Sequence, residues 1–263
     1  MLAKLMKYEF KSTARLFIPL YAVLLVFALL NRFLNPFRTF EAAENFSLQV
    51  FVRGAGMAIY FFLILAVFVT TLVLIIQRFY KNLLGDEGYL MFTLPVKTWQ
   101  HIANKLLTSI IWCILSALVV AVSLFVLTAS SELIRLLPYI IEGIKNTFGI
   151  AGFFVLPALA LSQLASGILM IYNAMALGQL FQKHRLLASF GMYCVLYLIQ
   201  QMIYVICMLL LANTAFMTLI RSASLTPLGM NLFLGSLAIG GLIIAAAHFA
   251  LVNYVLNTKL NLE

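Results

Sequence analysis

The groups of this 263-residue chain that could do chemistry are three histidines, three cysteines and eight acidic residues. His101, His184 and His248 lie far apart in sequence, so no spacing gathers them as ligands of one metal. Cys113, Cys194 and Cys207 fall inside apolar runs without a CxxC pair, which reads as small buried hydrophobes rather than a disulfide or a metal site. A chain that hydrolyses ATP through a phosphate-binding loop needs GxxxxGK[ST], and no Gly-Lys pair occurs. HExxH and GxSxG are also missing. No catalytic residue, metal ligand or cofactor site is therefore assigned, and the chain is expected not to be an enzyme.

A second set of residues is informative because of where it lies. Gln163, Tyr172, Asn173 and Gln179 interrupt one apolar run, Tyr197, Gln200, Gln201 and Tyr204 a second, and His248 and Asn253 a third. Polar side chains are expensive in hydrocarbon and turn towards protein or a cavity. Gln200 and Tyr204 share one helix face; Tyr197 and Gln201 share the adjacent one. Two readings stay open. Gln163, Asn173, Tyr197, Gln200, Gln201, Tyr204 and His248 line a path for an amphiphilic substrate, or they make hydrogen bonds between helices worth about 0.6 kcal/mol each. Ser162, Ser166 and Gly167, and Gly235, Gly240, Gly241 and Ala245, are small-residue clusters that suit a subunit contact or close packing within one chain.

The third set is Arg78 to Lys105, RFYKNLLGDEGYLMFTLPVKTWQHIANK. It mixes charges (Arg78, Lys81, Asp86, Glu87, Lys97), turn formers (Gly85, Gly88, Pro95) and apolar or aromatic anchors (Tyr89, Leu90, Met91, Phe92, Leu94, Trp99). A plain connector needs only a few polar residues. This one suits a short surface helix that docks a soluble partner, with anchors filling a pocket and charges setting register. An ordinary loop held at the headgroups by Tyr89, Phe92 and Trp99 is the alternative.

The elements that position these residues follow from composition. With 64% hydrophobic and 10% charged residues, the chain lacks the charge, about 25%, of an ordinary soluble domain. Its side chains are solvated by lipid and by other helices. Six runs reach the roughly 20 apolar residues of a bilayer crossing: Leu16 to Leu34, Met57 to Gln77, Ile102 to Ala129, Phe148 to Phe181, Leu186 to Leu211 and Asn231 to Leu256. The fourth is longer than one crossing, so it tilts, kinks at Pro157 or begins as a separate short helix. The fold class expected is an all-α membrane protein with six transmembrane helices, in a single domain over residues 1–263. Residues 1–15 form a basic amphipathic interfacial helix, with Leu2, Leu5, Met6 and Phe10 on one side and Lys4, Lys7, Lys11 and Arg15 on the other. The start is too polar for a cleavable signal peptide. Residues 79–101 form the first cytoplasmic connection, with a surface helix, and 182–186 the second. External connections are expected near 35–56, 130–147 and 212–230.

The net charge of +9 sits beside apolar spans, which points to anionic headgroups and membrane lipids rather than nucleic acid. Of the 17 Lys and Arg residues, 11 fall on the side that holds both termini and 6 on the other. That asymmetry places both termini in the cytoplasm.

GDEGYLMFTLP, Gly85 to Pro95, following FYKNLLG and preceding an apolar span, resembles the cytoplasmic loop of type-2 ABC exporter permeases of Gram-positive bacteria. The opening MLAKLMKYEFKSTARLFIPLY, Met1 to Tyr21, is similar to the amino terminus of the same group. The motif-level match covers these two stretches, and the match in topology covers the chain. The resemblance implies six spans, a first cytoplasmic loop that acts as a coupling helix, and cytoplasmic ATPase subunits that hold ATP and Mg. It also implies a second permease subunit, identical or a sister chain. On this view Asp86, Glu87, Tyr89, Leu90, Met91, Phe92, Leu94, Lys183 and Arg185 meet the ATPase. No motif separates peptide, drug, lipid or polysaccharide export. Two other classes share the topology: a non-transporting membrane accessory or immunity protein, and an ion-driven secondary transporter, for which His248 is the main ionisable candidate.

Overall fold

A computed structural model describes residues 2–34, 48–85, 96–128, 131–181, 183–212 and 226–258. The described residues are helical apart from short turns, and no strand occurs among them. Lipid offers no hydrogen bonds, so apolar runs of this length satisfy their backbone internally as helices. In chain order they are α1 (Leu2–Leu34), α2 (Leu48–Phe79), α3 (Thr98–Thr128), α4 (Ser131–Gly178), α5 (Arg185–Ala212) and α6 (Pro227–Thr258). Each contains a stretch long and apolar enough to cross a membrane.

Three features refine the expected elements. The basic segment at the start is not a separate element, because α1 runs unbroken from Leu2 through Pro19 to Leu34. α2 ends in a turn of π-helix, Tyr80–Leu84, closed by Gly85 N–H donating to the Tyr80 carbonyl at 2.8 Å. The segment expected as an external connection near 130–147 is helical. It forms the first part of α4, which breaks at Gly149 (φ 64°, ψ −170°). The break lies at the start of the over-long fourth run, so the separate helix precedes that run, which itself continues as one helix to Gly178. The break falls at glycine because that backbone region suits a residue without Cβ. Helical geometry continues through Pro157.

The described residues group into two compact units. The first comprises α1, α2 as far as Ile75, and α3 from Ile111 with the residues up to Leu137. Its core is Phe17, Tyr21, Leu24, Ala28, Tyr60, Val67, Trp112, Val120 and Leu127. The Trp112 indole stacks with Phe10 at 4.6 Å and Phe17 at 4.2 Å between centroids, two rings one heptad apart on α1. The first turns of α1 thus place an aromatic ring against α3. Ser116 Oγ lies 2.7 Å from Tyr21 Oη and 2.8 Å from Thr71 Oγ1, and Ser123 Oγ lies 2.9 Å from Tyr60 Oη. At the far end of α1, Asn31 Nδ2 donates to the Gly56 carbonyl at 3.0 Å. A Cβ on Gly56 would come within 2.7 Å of Asn31 Oδ1, so glycine is what permits this approach.

The second unit comprises residues 76–110 and 138–263. Its best-buried stretch is on α4, where Ile168, Leu169, Met170, Tyr172, Asn173, Ala174, Met175 and Ala176 are all covered. The Phe79 and Tyr172 rings stack at 4.0 Å, only 9° from parallel. Thr98 Oγ1 donates to Asn257 Oδ1 at 2.6 Å, joining the start of α3 to the end of α6. Part of each small-residue cluster serves close packing within this unit. Ser162, Ser166 and Ala245 are buried, and a Cβ on Gly241 would meet Ser162 Oγ at 2.9 Å. Gly167, Gly235 and Gly240 stand clear of any such contact.

Candidate functional site

Two places in the second unit bear on function. The first is the polar network inside the helices. Asn173 Nδ2 donates to His248 Nδ1 at 2.9 Å, and His248 Nε2 lies 3.4 Å from Gln200 Oε1. α4, α6 and α5 are thereby tied through one imidazole. With Nδ1 accepting, Nε2 carries the proton and donates to the Gln200 carbonyl oxygen, which describes a neutral ring. Asn173 is fully buried and His248 half-buried. Asn173 Oδ1 and Tyr204 Oη are both buried without a hydrogen-bond partner among the described residues.

The seven residues expected to line a path therefore separate. Asn173, Gln200 and His248 form one network. Gln163 is exposed and reaches the Leu237 carbonyl of α6 at 3.4 Å. Tyr204 is half-buried, and Tyr197 and Gln201 are exposed on α5. The network offers amide and imidazole hydrogen-bonding groups. No group of three or more His, Cys, Asp or Glu residues able to hold a metal occurs among the described residues.

The second place is where the helix ends meet at the two connections expected to face the cytoplasm. Asp86, Glu87, Tyr89, Leu90, Met91, Phe92 and Leu94 lie outside the described residues. The elements on either side of them are described. Before them, the π-helical turn buries Leu83 and Leu84 against the unit, next to the buried Phe79. After them, α3 opens with a buried polar stretch: His101, Asn104, Lys105, Thr108 and Ser109. Ser109 Oγ lies 2.8 Å from Tyr172 Oη, and the same tyrosine hydroxyl is 3.3 Å from the Lys105 carbonyl. Tyr172 thus touches both flanks of the connection, stacking on Phe79 and bonding to α3.

The second connection is a tight turn. Gly178 closes α4, and its missing side chain admits α5, since a Cβ there would fall 2.6 Å from Ser189 Cα and 2.7 Å from Ser189 N. His184 adopts φ 56°, and its carbonyl accepts Ala188 N–H at 2.9 Å to start α5. Lys183 and Arg185, on either side of His184, are exposed to solvent.

Sequence reading missed the serines. Ser109, Ser116 and Ser123 recur every seven residues on α3, and each holds a tyrosine hydroxyl, from Tyr172, Tyr21 and Tyr60 respectively. The seven-residue recurrence within an apolar run was the available signal.

Among the described residues the fold is all-helical, with six helices able to cross a membrane and a polar network set among three of them. Compared with family models, curated proteins and solved structures, the chain matches none.

Proposed function

We propose that this chain is the membrane-spanning permease subunit of an ATP-driven type-2 ABC exporter, working with cytoplasmic ATPase subunits and a second permease subunit in a bacterial plasma membrane. Both termini face the cytoplasm, and an amphiphilic substrate, peptide, drug or lipid, is the cargo. ATP and Mg are held by the ATPase, and this chain carries the force.

The observation that supports this reading best is the Phe79–Tyr172–Ser109 joint. A coupling segment transmits force only if its two ends are fixed to the helices it moves. Here the residue closing α2 and the first turns of α3 are both fastened to Tyr172, six residues before the end of α4 at Gly178. A push on residues 86–95 is thereby delivered to α2, α3 and α4 together, and α4 carries Asn173 next to Tyr172. Asp86 and Glu87 supply charge for the ATPase surface, Tyr89, Leu90, Met91, Phe92 and Leu94 its apolar anchors, and Lys183 and Arg185 a second point of contact.

The test is a mild-detergent pull-down of the tagged chain from its native membrane, with co-purified proteins identified by mass spectrometry. It is run in parallel on the Asp86→Lys, Glu87→Lys variant. An ATPase that co-purifies with the parent chain and is lost from the variant supports the proposal. A folded, monodisperse chain that brings down no ATPase refutes it. The ion-driven transporter then leads, because His248 sits at the centre of the polar network.

A further inference from the structure

The first part of α4, residues 131–148, has no role in the permease reading, and its placement in the membrane is independent of that reading. From Arg135 to Gly178 is 44 residues, or about 66 Å of helix at 1.5 Å per residue. A bilayer is only about 40–45 Å thick with its headgroups. The break at Gly149 resolves the excess. Residues 149–178 alone span about 45 Å, so a crossing that begins at Gly178 on one surface reaches Gly149 at the opposite headgroup layer. The helix that precedes Gly149 starts at the depth where water and hydrocarbon meet.

Its side chains are sorted for that boundary. At 3.6 residues per turn, Leu136, Ile140, Ile144, Leu137, Phe148 and Ile141 fall within an arc of about 140°. Lys145, Glu142, Arg135 and Asn146 lie on the opposite side with Pro138 and Tyr139, and Thr147 is the one polar side chain within the apolar arc. The apolar arc is uncovered in the chain itself: Leu136 and Ile140 are each 52% exposed, and Ile141 is 54% exposed. The C-terminal end of this helix is held in place, since Asn231 Nδ2 at the start of α6 donates to the Phe148 carbonyl. That carbonyl stands directly before the break, among the helix-terminal carbonyls that look for partners outside their own helix.

We infer that residues 131–148 form an interfacial helix lying on the outer surface of the same bilayer, its Leu136–Ile140–Ile144 face sunk to the headgroup–acyl boundary. The lipid is recognised by apolar area rather than by charge, because Arg135 and Lys145 are balanced by Glu132 and Glu142. Seating the helix there fixes the outer end of α4, and through Asn231 the outer end of α6, at headgroup depth.

The test uses the full chain with Cys113→Ser, Cys194→Ser and Cys207→Ser, reconstituted in phosphatidylcholine nanodiscs. Single nitroxide labels are placed at Ile140→Cys or Glu142→Cys, and collisions with oxygen and with a water-soluble nickel chelate are compared by power saturation. The Ile140 label should favour oxygen and the Glu142 label the chelate, giving collision ratios several-fold apart that persist at high salt. Ile144→Cys and Lys145→Cys repeat the comparison one turn on, so a single label that prevents folding leaves the test intact. Equal access of the chelate to both faces would overturn the inference, because the helix would then stand in water. Exclusion of both probes from the apolar face would overturn it too, by showing a protein cover such as a second copy.

Discussion

Tyr21 Oη on α1 and Ser116 Oγ on α3 lie 2.7 Å apart, and the same serine oxygen is 2.8 Å from Thr71 Oγ1 on α2. Three helices therefore meet on one buried hydroxyl, a group that both donates and accepts. Between helices in lipid, where the hydrophobic effect supplies little association, such contacts and close packing carry the specificity.

Ser116→Ala should be more costly than Tyr60→Phe, because it removes two interhelical bonds instead of one. At about 0.6 kcal/mol per bond, the losses are roughly 1.2 and 0.6 kcal/mol. Unfolding equilibria of the two variants in the same mixed micelles check the ordering; equal losses would mean that Ser116 holds only one of its neighbours.

Trp112→Ala should destabilise by about 3–5 kcal/mol, since it empties the place where Phe10 and Phe17 stack. Trp112→Phe keeps an aromatic face and also removes an indole N–H that is buried without a partner among the described residues. It should recover most of that loss, as read by thermal unfolding in detergent. If both variants unfold alike, an aromatic ring at this place restores nothing and the loss belongs to the indole itself.

Gly178→Ala should cost about 1–3 kcal/mol by overpacking, because the added methyl meets the Ser189 backbone, which cannot rotate away. Gly167→Ala, with nothing within 4 Å, is the control and should leave the melting temperature near that of the parent. A stable Gly178→Ala protein would show that the turn has room to open.

Asn173→Leu and His248→Leu should be coupled. In a double-mutant cycle their interaction energy should lie near 0.6 kcal/mol, and at most about 1.7 kcal/mol. Under the permease reading, transport by the single variants should fall by more than the stability loss accounts for. A fall that tracks stability alone would assign the network to packing.

Much of this architecture is legible in the residues alone. Lipid forces each long apolar run into a helix, so the six elements follow from hydropathy. Helix direction around an axis is another matter. Polar positions such as Gln200 and Gln201 are adjacent in sequence, yet one faces His248 and the other lies exposed on α5. Hydropathy says which helix holds a residue and leaves its azimuth open. The fourth run contains Pro157 and several glycines, and only the backbone dihedrals single out Gly149 as the one that breaks. The anchors at 86–94 fall outside the described residues, so their flanks, not the anchors, inform the coupling reading.

The serine spacing on α3 carries an ambiguity that the aromatic stack removes. In the first unit, sliding α3 by seven residues, about 10.5 Å along its axis, would present Ser109 to Tyr21 and Ser116 to Tyr60. Every tyrosine there would still find a hydroxyl. The hydrogen bonds are therefore blind to that shift and cannot by themselves select one assembly. Trp112 has no counterpart seven residues away, where Lys105 and Val119 stand instead. The indole is the largest asymmetric tooth in a repeating rack, and losing it should widen the choice of alignments open to the helices as well as weaken the one adopted.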